Sequence, residues 1–159
     1  MIQRIQSIYL LLAIILLVLI SCGISIFTYS SVETVHTLNV FGIKSTESIS
    51  GGLIVKKSIP LFTGSLILIV LAFFTILLFK NLKRQMMFAR LTAFLYFIYL
   101  IAISFCYFLG SAFTDDKQLG STFVNFGFYA LLIGFVLVLL AINGIKKDQR
   151  LLASVDRIR

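Results

Sequence analysis

Charge is scarce in this 159-residue chain: Asp, Glu, Lys and Arg together make up 13% of it, about half of the roughly 25% usual in a globular domain. With 60% of residues hydrophobic and a mean hydropathy of +1.07, an ordinary water-soluble fold is excluded. Acids are the scarcer sign, six against fourteen Lys and Arg, for a net charge of +8. In a soluble chain that balance points to nucleic acid. Here no soluble basic domain carries such a role, and basic residues gather beside membrane spans for topological reasons. Cysteine occurs twice, as Cys22 and Cys106, both inside apolar runs. Neither a disulfide framework nor a zinc site follows; the two thiols are either small buried hydrophobes or, lying at similar depth, bonded to each other. The single proline, Pro60, opens the second apolar run, where a first-turn proline costs no hydrogen bond. There is no phosphate-cradling loop, histidine cluster or Ser/His/Asp constellation. Beyond Arg90 in the first turn of the third run, no Asp, Glu, Lys or Arg lies inside the apolar runs, although ionisable groups mark the pathways of ion-coupled transporters and intramembrane proteases. These absences point away from an enzyme and imply no metal and no cofactor.

What the chain does contain is four apolar runs, 5–27, 59–79, 88–110 and 123–143. Each is long enough, at 1.5 Å per residue, to cross about 30 Å of hydrocarbon as a helix. The sequence therefore predicts an all-α membrane protein: a four-transmembrane-helix bundle over 1–143, with a small β-like extracytoplasmic loop at 28–58 and a basic amphipathic C-terminal helix at 144–159. Lys80, Lys83, Arg84 and Arg90 follow the second run with no acid among them. Lys146, Lys147, Arg150, Arg157 and Arg159 follow the fourth run, and Arg4 precedes the first. By the positive-inside rule these segments are cytoplasmic, which puts both termini inside and leaves 28–58 and the loop holding Asp115, Asp116 and Lys117 outside.

Within 28–58, Val, Thr and Phe are dense over 32–41, Gly42 interrupts, and Gly51-Gly52 precedes Leu53-Ile54-Val55. That pattern predicts two or three short strands, resting on helix ends or on a partner because a lone hairpin is marginal in water. Glu33 and His36 have the E-x-x-H spacing of di-iron ligands in helical bundles, but in an extended segment without further carboxylates the pair reads as solvated loop. Leu19-Ile20-Ser21-Cys22 has the form of a lipobox. The chain stays hydrophobic through Phe27, so an uncleaved signal-anchor is the preferred reading.

At 100° per residue, Phe94, Phe97, Phe105 and Phe108 fall on one side of the third run and Tyr96, Tyr99 and Tyr107 on the other. Hydroxyls in hydrocarbon need partners. The tyrosine side therefore faces other helices or lines a pocket for an apolar molecule, and the phenylalanine side faces lipid. Gly127, Ala130, Gly134 and Ala141 share one face of the fourth run, and Gly64, Ser65, Ala72 and Thr75 one face of the second. Such stripes let helix backbones approach closely, within the chain or against a partner's helix. In the tail, Ile145, Leu151, Leu152, Val155 and Ile158 make an apolar face. Lys146, Lys147, Arg150, Arg157 and Arg159 lie elsewhere on it, suited to anionic lipid or to a cytoplasmic partner.

The start Met1-Ile2-Gln3-Arg4-Ile5-Gln6-Ser7, the Lys80 to Arg84 turn, and the ending from Ala141 through Lys146-Lys147-Asp148 and Leu151-Leu152 to Ser154-Val155-Asp156-Arg157-Ile158-Arg159 resemble, across the whole chain, the four-span membrane proteins of Bacteroidota grouped as domain of unknown function 4293. The resemblance implies a multi-pass protein of a bacterial inner (cytoplasmic) membrane and brings no activity, cofactor or site residue. The residues themselves point to a non-catalytic accessory subunit or assembly factor of a larger inner-membrane complex, in envelope biogenesis or protein export. Its partners are membrane lipids and other integral membrane proteins, with no nucleic acid. The alternative is a small binding or transport module that holds an apolar molecule, lipid or quinone, against Tyr96, Tyr99 and Tyr107.

Overall fold

The computed structural model describes residues 3–30, 34–47, 53–58, 60–108 and 121–156. In chain order these form α1 (Gln3–Ser21), β1 (Phe27–Ser30), β2 (Thr34–Asn39), β3 (Gly42–Glu47), β4 (Leu53–Ser58), α2 (Leu61–Leu77), a 3₁₀ turn (Leu78–Lys80), α3 (Leu82–Phe108), β5 (Ser121–Val124) and α4 (Phe126–Asp156). Long unbroken runs of Leu, Ile and Ala, with no proline inside them, give the helices. α1 stops where Gly23 takes a φ of 96°, a left-handed conformation that costs only glycine nothing. The helices touch in a cycle, α1 on α2, α2 on α3, α3 on α4 and α4 on α1.

The strands form one antiparallel sheet in the order β4-β3-β2-β1-β5. Asn39 Oδ1 accepts from the Phe41 N–H at 3.1 Å and shapes the β2–β3 hairpin, whose far side opens at Gly42 with a φ of 133°. Strand alternation turns Phe27, Tyr29, His36, Leu38, Ile43 and Ser45 inward, where they are buried, and leaves Lys44 exposed. One core therefore runs without a break from the helices (Leu10, Leu17, Leu68, Tyr96, Ile103, Leu131, Val138) into the sheet (Ile26, Leu38, Val40, Ile43).

This sheet corrects the all-α expectation: the protein is mixed α and β, and among the described residues the loop expected to hold two or three strands takes part in four, with β5 joining from beyond α3. The four-span arrangement is corrected with it. Among the described residues two segments are long and apolar enough to cross a membrane, Leu82–Phe108 and Phe126–Leu151; Ile5–Ser21 and Leu61–Leu77 are shorter apolar helices. At 1.5 Å per residue these shorter helices extend about 26 Å, against the roughly 30 Å of a hydrocarbon core. The runs 5–27, 59–79 and 123–143 were apolar for two different reasons. Phe27 belongs to β1, Phe123 and Val124 belong to β5, and Leu78 opens the 3₁₀ turn; hydropathy does not separate buried strand from helix. The segment expected as an amphipathic C-terminal helix is helical as far as it is described, α4 running on through Asn143 and Gly144 to Asp156. Arg157, Arg159, Glu33, Asp115, Asp116 and Lys117 lie outside the described residues.

Candidate functional site

The sheet is locked to the helices at the adjoining ends of α3 and α4. The first turn of a helix leaves N–H groups without intrahelical partners. Here Gly127 N–H donates to Ser25 O at 3.2 Å, and the preceding Asn125 N–H donates to Ile26 O at 3.0 Å. Asn125 Nδ2 also donates to Thr28 Oγ1 at 2.6 Å. The last carbonyls of α3 are served from the sheet as well: the Tyr29 hydroxyl reaches Cys106 O at 3.3 Å and Tyr107 O at 3.5 Å. Burial, with smaller contributions from nearby Cys106 and Tyr107, pushes the Tyr29 phenol up to about 12, so it stays a neutral donor. Tyr107 is bonded to Thr122 Oγ1 at 2.9 Å, and its ring lies 4.9 Å from that of Phe27, which is 5.2 Å from Phe128.

Below this junction Phe27, Ser104, Tyr107, Phe108, Val124 and Phe128 line a hollow of about 260 Å³. It adjoins a second hollow of about 430 Å³ along the α3–α4 seam, lined by Phe97, Leu100, Ile101, Phe105, Leu132 and Phe135 and sharing Ser104 and Phe108 with the first. Together they form an apolar trough of the size of a small-molecule site, in which the side-chain hydroxyls are those of Ser104 and Tyr107.

The tyrosines of α3 thus part company. Tyr96 is fully buried. A Cβ on Gly134 would collide with its hydroxyl, and one on Gly64 would stand 2.7 Å from the Tyr99 ring, so each glycine makes room for one ring. The Tyr99 hydroxyl donates to Leu61 O at 3.2 Å, and Tyr99 borders a smaller hollow of about 210 Å³ between α2 and α3. Tyr107 alone of the three lines the trough, together with Phe97, Phe105 and Phe108, which remain exposed. Ala72, Ala130 and Ala141 are buried in the core. The Tyr96 hydroxyl has no hydrogen-bond partner, and an orphan buried hydroxyl costs about 1–3 kcal/mol. Tyr96→Phe is therefore expected to leave the fold intact and to raise thermal stability in detergent; a fall in the unfolding temperature would show that the hydroxyl finds a partner.

At the opposite ends of α3 and α4, Gln6 of α1 donates through Nε2 to Asp148 Oδ2. Asp148 is 6% exposed, and its Oδ1 has no partner. Gly144 lets α1 come this close, since a Cβ there would stand 2.8 Å from Gln6 Cγ. Gln149 Nε2 donates to Leu82 O at 2.7 Å and ties α4 to the start of α3, over a small apolar cluster of Met86, Ala89 and Ile145. Lys83, Arg84, Arg90, Lys146, Lys147 and Arg150 stand exposed around this end.

A family model described as Domain of unknown function (DUF4293) matches residues 2–158. The chain belongs to that family. A comparison with curated proteins finds no match. In this DUF4293 chain Cys22 is exposed and Cys106 half-buried, and both are free thiols. His36 sits buried in β2, its Nε2 2.9 Å from Thr34 Oγ1 and its Nδ1 2.7 Å from Ser45 Oγ, and no group of three or more metal-ligating side chains forms among the described residues. Sequence reasoning missed Phe27, Ser104, Val124 and Phe128 because their meeting depends on strand pairing. It missed Gln6 and Asp148 although both left a signal, being polar residues on otherwise apolar helix faces.

Proposed function

We propose that this protein is a non-catalytic subunit or assembly factor of an inner-membrane complex, in envelope biogenesis or protein export, joining an extracytoplasmic sheet to a cationic cytoplasmic end through α3 and α4. Lys83, Arg84, Lys146, Lys147 and Arg150 cluster at one end of these two helices, and the positive-inside rule turns that end, with the start of α1 beside it, toward the cytoplasm. The observation that supports the reading is how the helices satisfy their buried polar groups. Ser21 Oγ donates to Ser65 Oγ at 3.0 Å, Thr75 to Leu71 O and Thr92 to Phe88 O, each at 2.8 Å, and Tyr99 and Gln6 bond as described above. Among the described residues, the buried polar groups other than the Tyr96 hydroxyl and Asp148 Oδ1 are thus engaged within the chain, and what is offered outward is apolar helix surface, sheet and cations, the materials of docking rather than of chemistry. Affinity purification from native membranes in mild detergent is expected to bring down a stoichiometric integral membrane partner. A monodisperse monomer with no co-purifying protein overturns the reading.

The trough favours a second reading, a module that holds an apolar molecule, lipid or quinone. Its place is the α3–α4 seam beneath Phe27 and Phe128, with Tyr107 at its edge, rather than the face of Tyr96 and Tyr99.

A further inference from the structure

Resting on that second reading, we infer that the α3–α4 seam is a binding site for an anionic phospholipid, its headgroup phosphate held by Lys83, Arg90, Lys146 and Arg150 and an acyl chain laid in the trough. The two helices run antiparallel, since the start of α3 meets Gln149 while its end shares a hollow with Phe128. Lys83, Arg90, Phe97 and Ser104 recur every seven residues on α3, and seven residues fall only about 20° short of two full turns. They therefore stand on one flank, with Ile101 and Phe108. On α4, Leu132, Leu139 and Lys146 recur at the same interval and Arg150 follows four residues on. The four cations are exposed; of the apolar members of these rows Phe97, Ile101, Phe108 and Leu132 line the trough, and Leu139 stands exposed between Leu132 and Lys146. One groove thus carries four positive charges at one end and an apolar channel beyond them.

The depths agree with a lipid. From Arg90, Phe97 and Ile101 lie about 10 and 16 Å along the helix axis, and one leaflet of hydrocarbon is about 15 Å deep. A phosphate at the level of Arg90 therefore places an acyl chain in the larger hollow. Among the residues with described side chains, the acid at this end, Asp148, is buried and bonded to Gln6, so it does not neutralise the groove. A quinone or a neutral lipid would use the trough and leave the four cations without a counter-charge, whereas phosphate meets both ends of the site.

The test is native mass spectrometry of the full chain in mild detergent, with added phosphatidylglycerol or with phosphatidylcholine carrying the same acyl chains. Wild type is expected to retain phosphatidylglycerol preferentially. The variant K83Q/R90Q/K146Q/R150Q is expected to lose that preference by on the order of a thousandfold, and Ser104→Trp, which fills the trough, to weaken retention of both lipids. Arg84→Gln with Lys147→Gln, cations on other faces, is expected to leave the preference intact, and circular dichroism checks that each variant folds. Equal retention of the two lipids, or an equal loss in the control variant, overturns the anionic site while leaving the apolar-molecule reading standing. No lipid retention, or retention indifferent to Ser104→Trp, overturns both. An acidic protein segment that occupies the seam and displaces phosphatidylglycerol overturns the lipid in favour of a protein partner.

Discussion

Gly127→Ala is expected to destabilise the protein by about 3 kcal/mol, at the upper end of what one inserted methyl costs in a packed interior. The added Cβ would stand 2.7 Å from Ser25 O and 3.2 Å from Ile26 Cα. Both are backbone atoms of the connection between α1 and β1, so neither can swing aside as a side chain can. The same carbonyl accepts the Gly127 N–H at 3.2 Å, and a shift that relieves the clash gives up that bond. The loss should concentrate where β5 pairs with β1, so amide exchange at Thr28 and Phe123 is expected to accelerate together with the fall in thermal stability. Unchanged stability and unchanged exchange would show that the connection yields freely, and would refute a rigid junction. Gly134→Ala is the instructive contrast, because the atom it meets is the far end of the Tyr96 side chain.

Gln6→Leu is expected to cost about 3 kcal/mol as well, for an electrostatic reason. Gln6 Nε2 is the hydrogen-bond donor to Asp148, whose other oxygen is already without one. Removing it leaves a buried acidic group with no donor at all, and that penalty exceeds the 1–3 kcal/mol of a neutral orphan. Asp148→Asn should be far milder, since an amide can still pair with the Gln6 amide. Combining Gln6→Leu with Asp148→Leu should recover much of the loss, because an apolar pair replaces the buried polar one. Chemical unfolding of the two single variants and the double variant measures this coupling, and additive costs would mean that the two side chains do not act as a pair.

The sequence carried the helices more faithfully than their ends. Unbroken apolar runs marked α1 to α4, but the residues that stop them act through geometry rather than hydropathy. Gly23 ends α1 by its φ of 96°, inside a run that reads as apolar to Phe27. Gly144, the boundary drawn between the fourth run and the tail, stands mid-helix, and what it supplies is room for Gln6. Phe123 and Val124 of β5 were merged with the helix after them, since the four residues Ser121–Val124 have no period of their own and become a strand only by pairing with Phe27–Ser30. The trough was legible in part. The opposed rows of Phe and Tyr on α3 were visible, yet which row lines a hollow was decided by Gly64 and Gly134, which admit Tyr99 and Tyr96 and thereby turn Phe97 and Phe105 toward the α3–α4 seam. The alignment of Lys83 and Arg90 with that seam needed the antiparallel pairing of α3 with α4, which no local pattern states.

The pairing of β1 with β5 also sets a clock on biogenesis. Thr28 and its hydrogen-bond partner Asn125 are 97 residues apart, so a chain made at 5–20 residues per second leaves the outer edge of β1 open for roughly 5–20 s. During that interval β1 to β4 form a sheet with a bare, hydrogen-bonding margin, the kind of edge that captures stray strands. Closure by β5 ends the exposure only after α3 has been made, so premature release from the insertion machinery would favour aggregation through β1 over any fault in the helices.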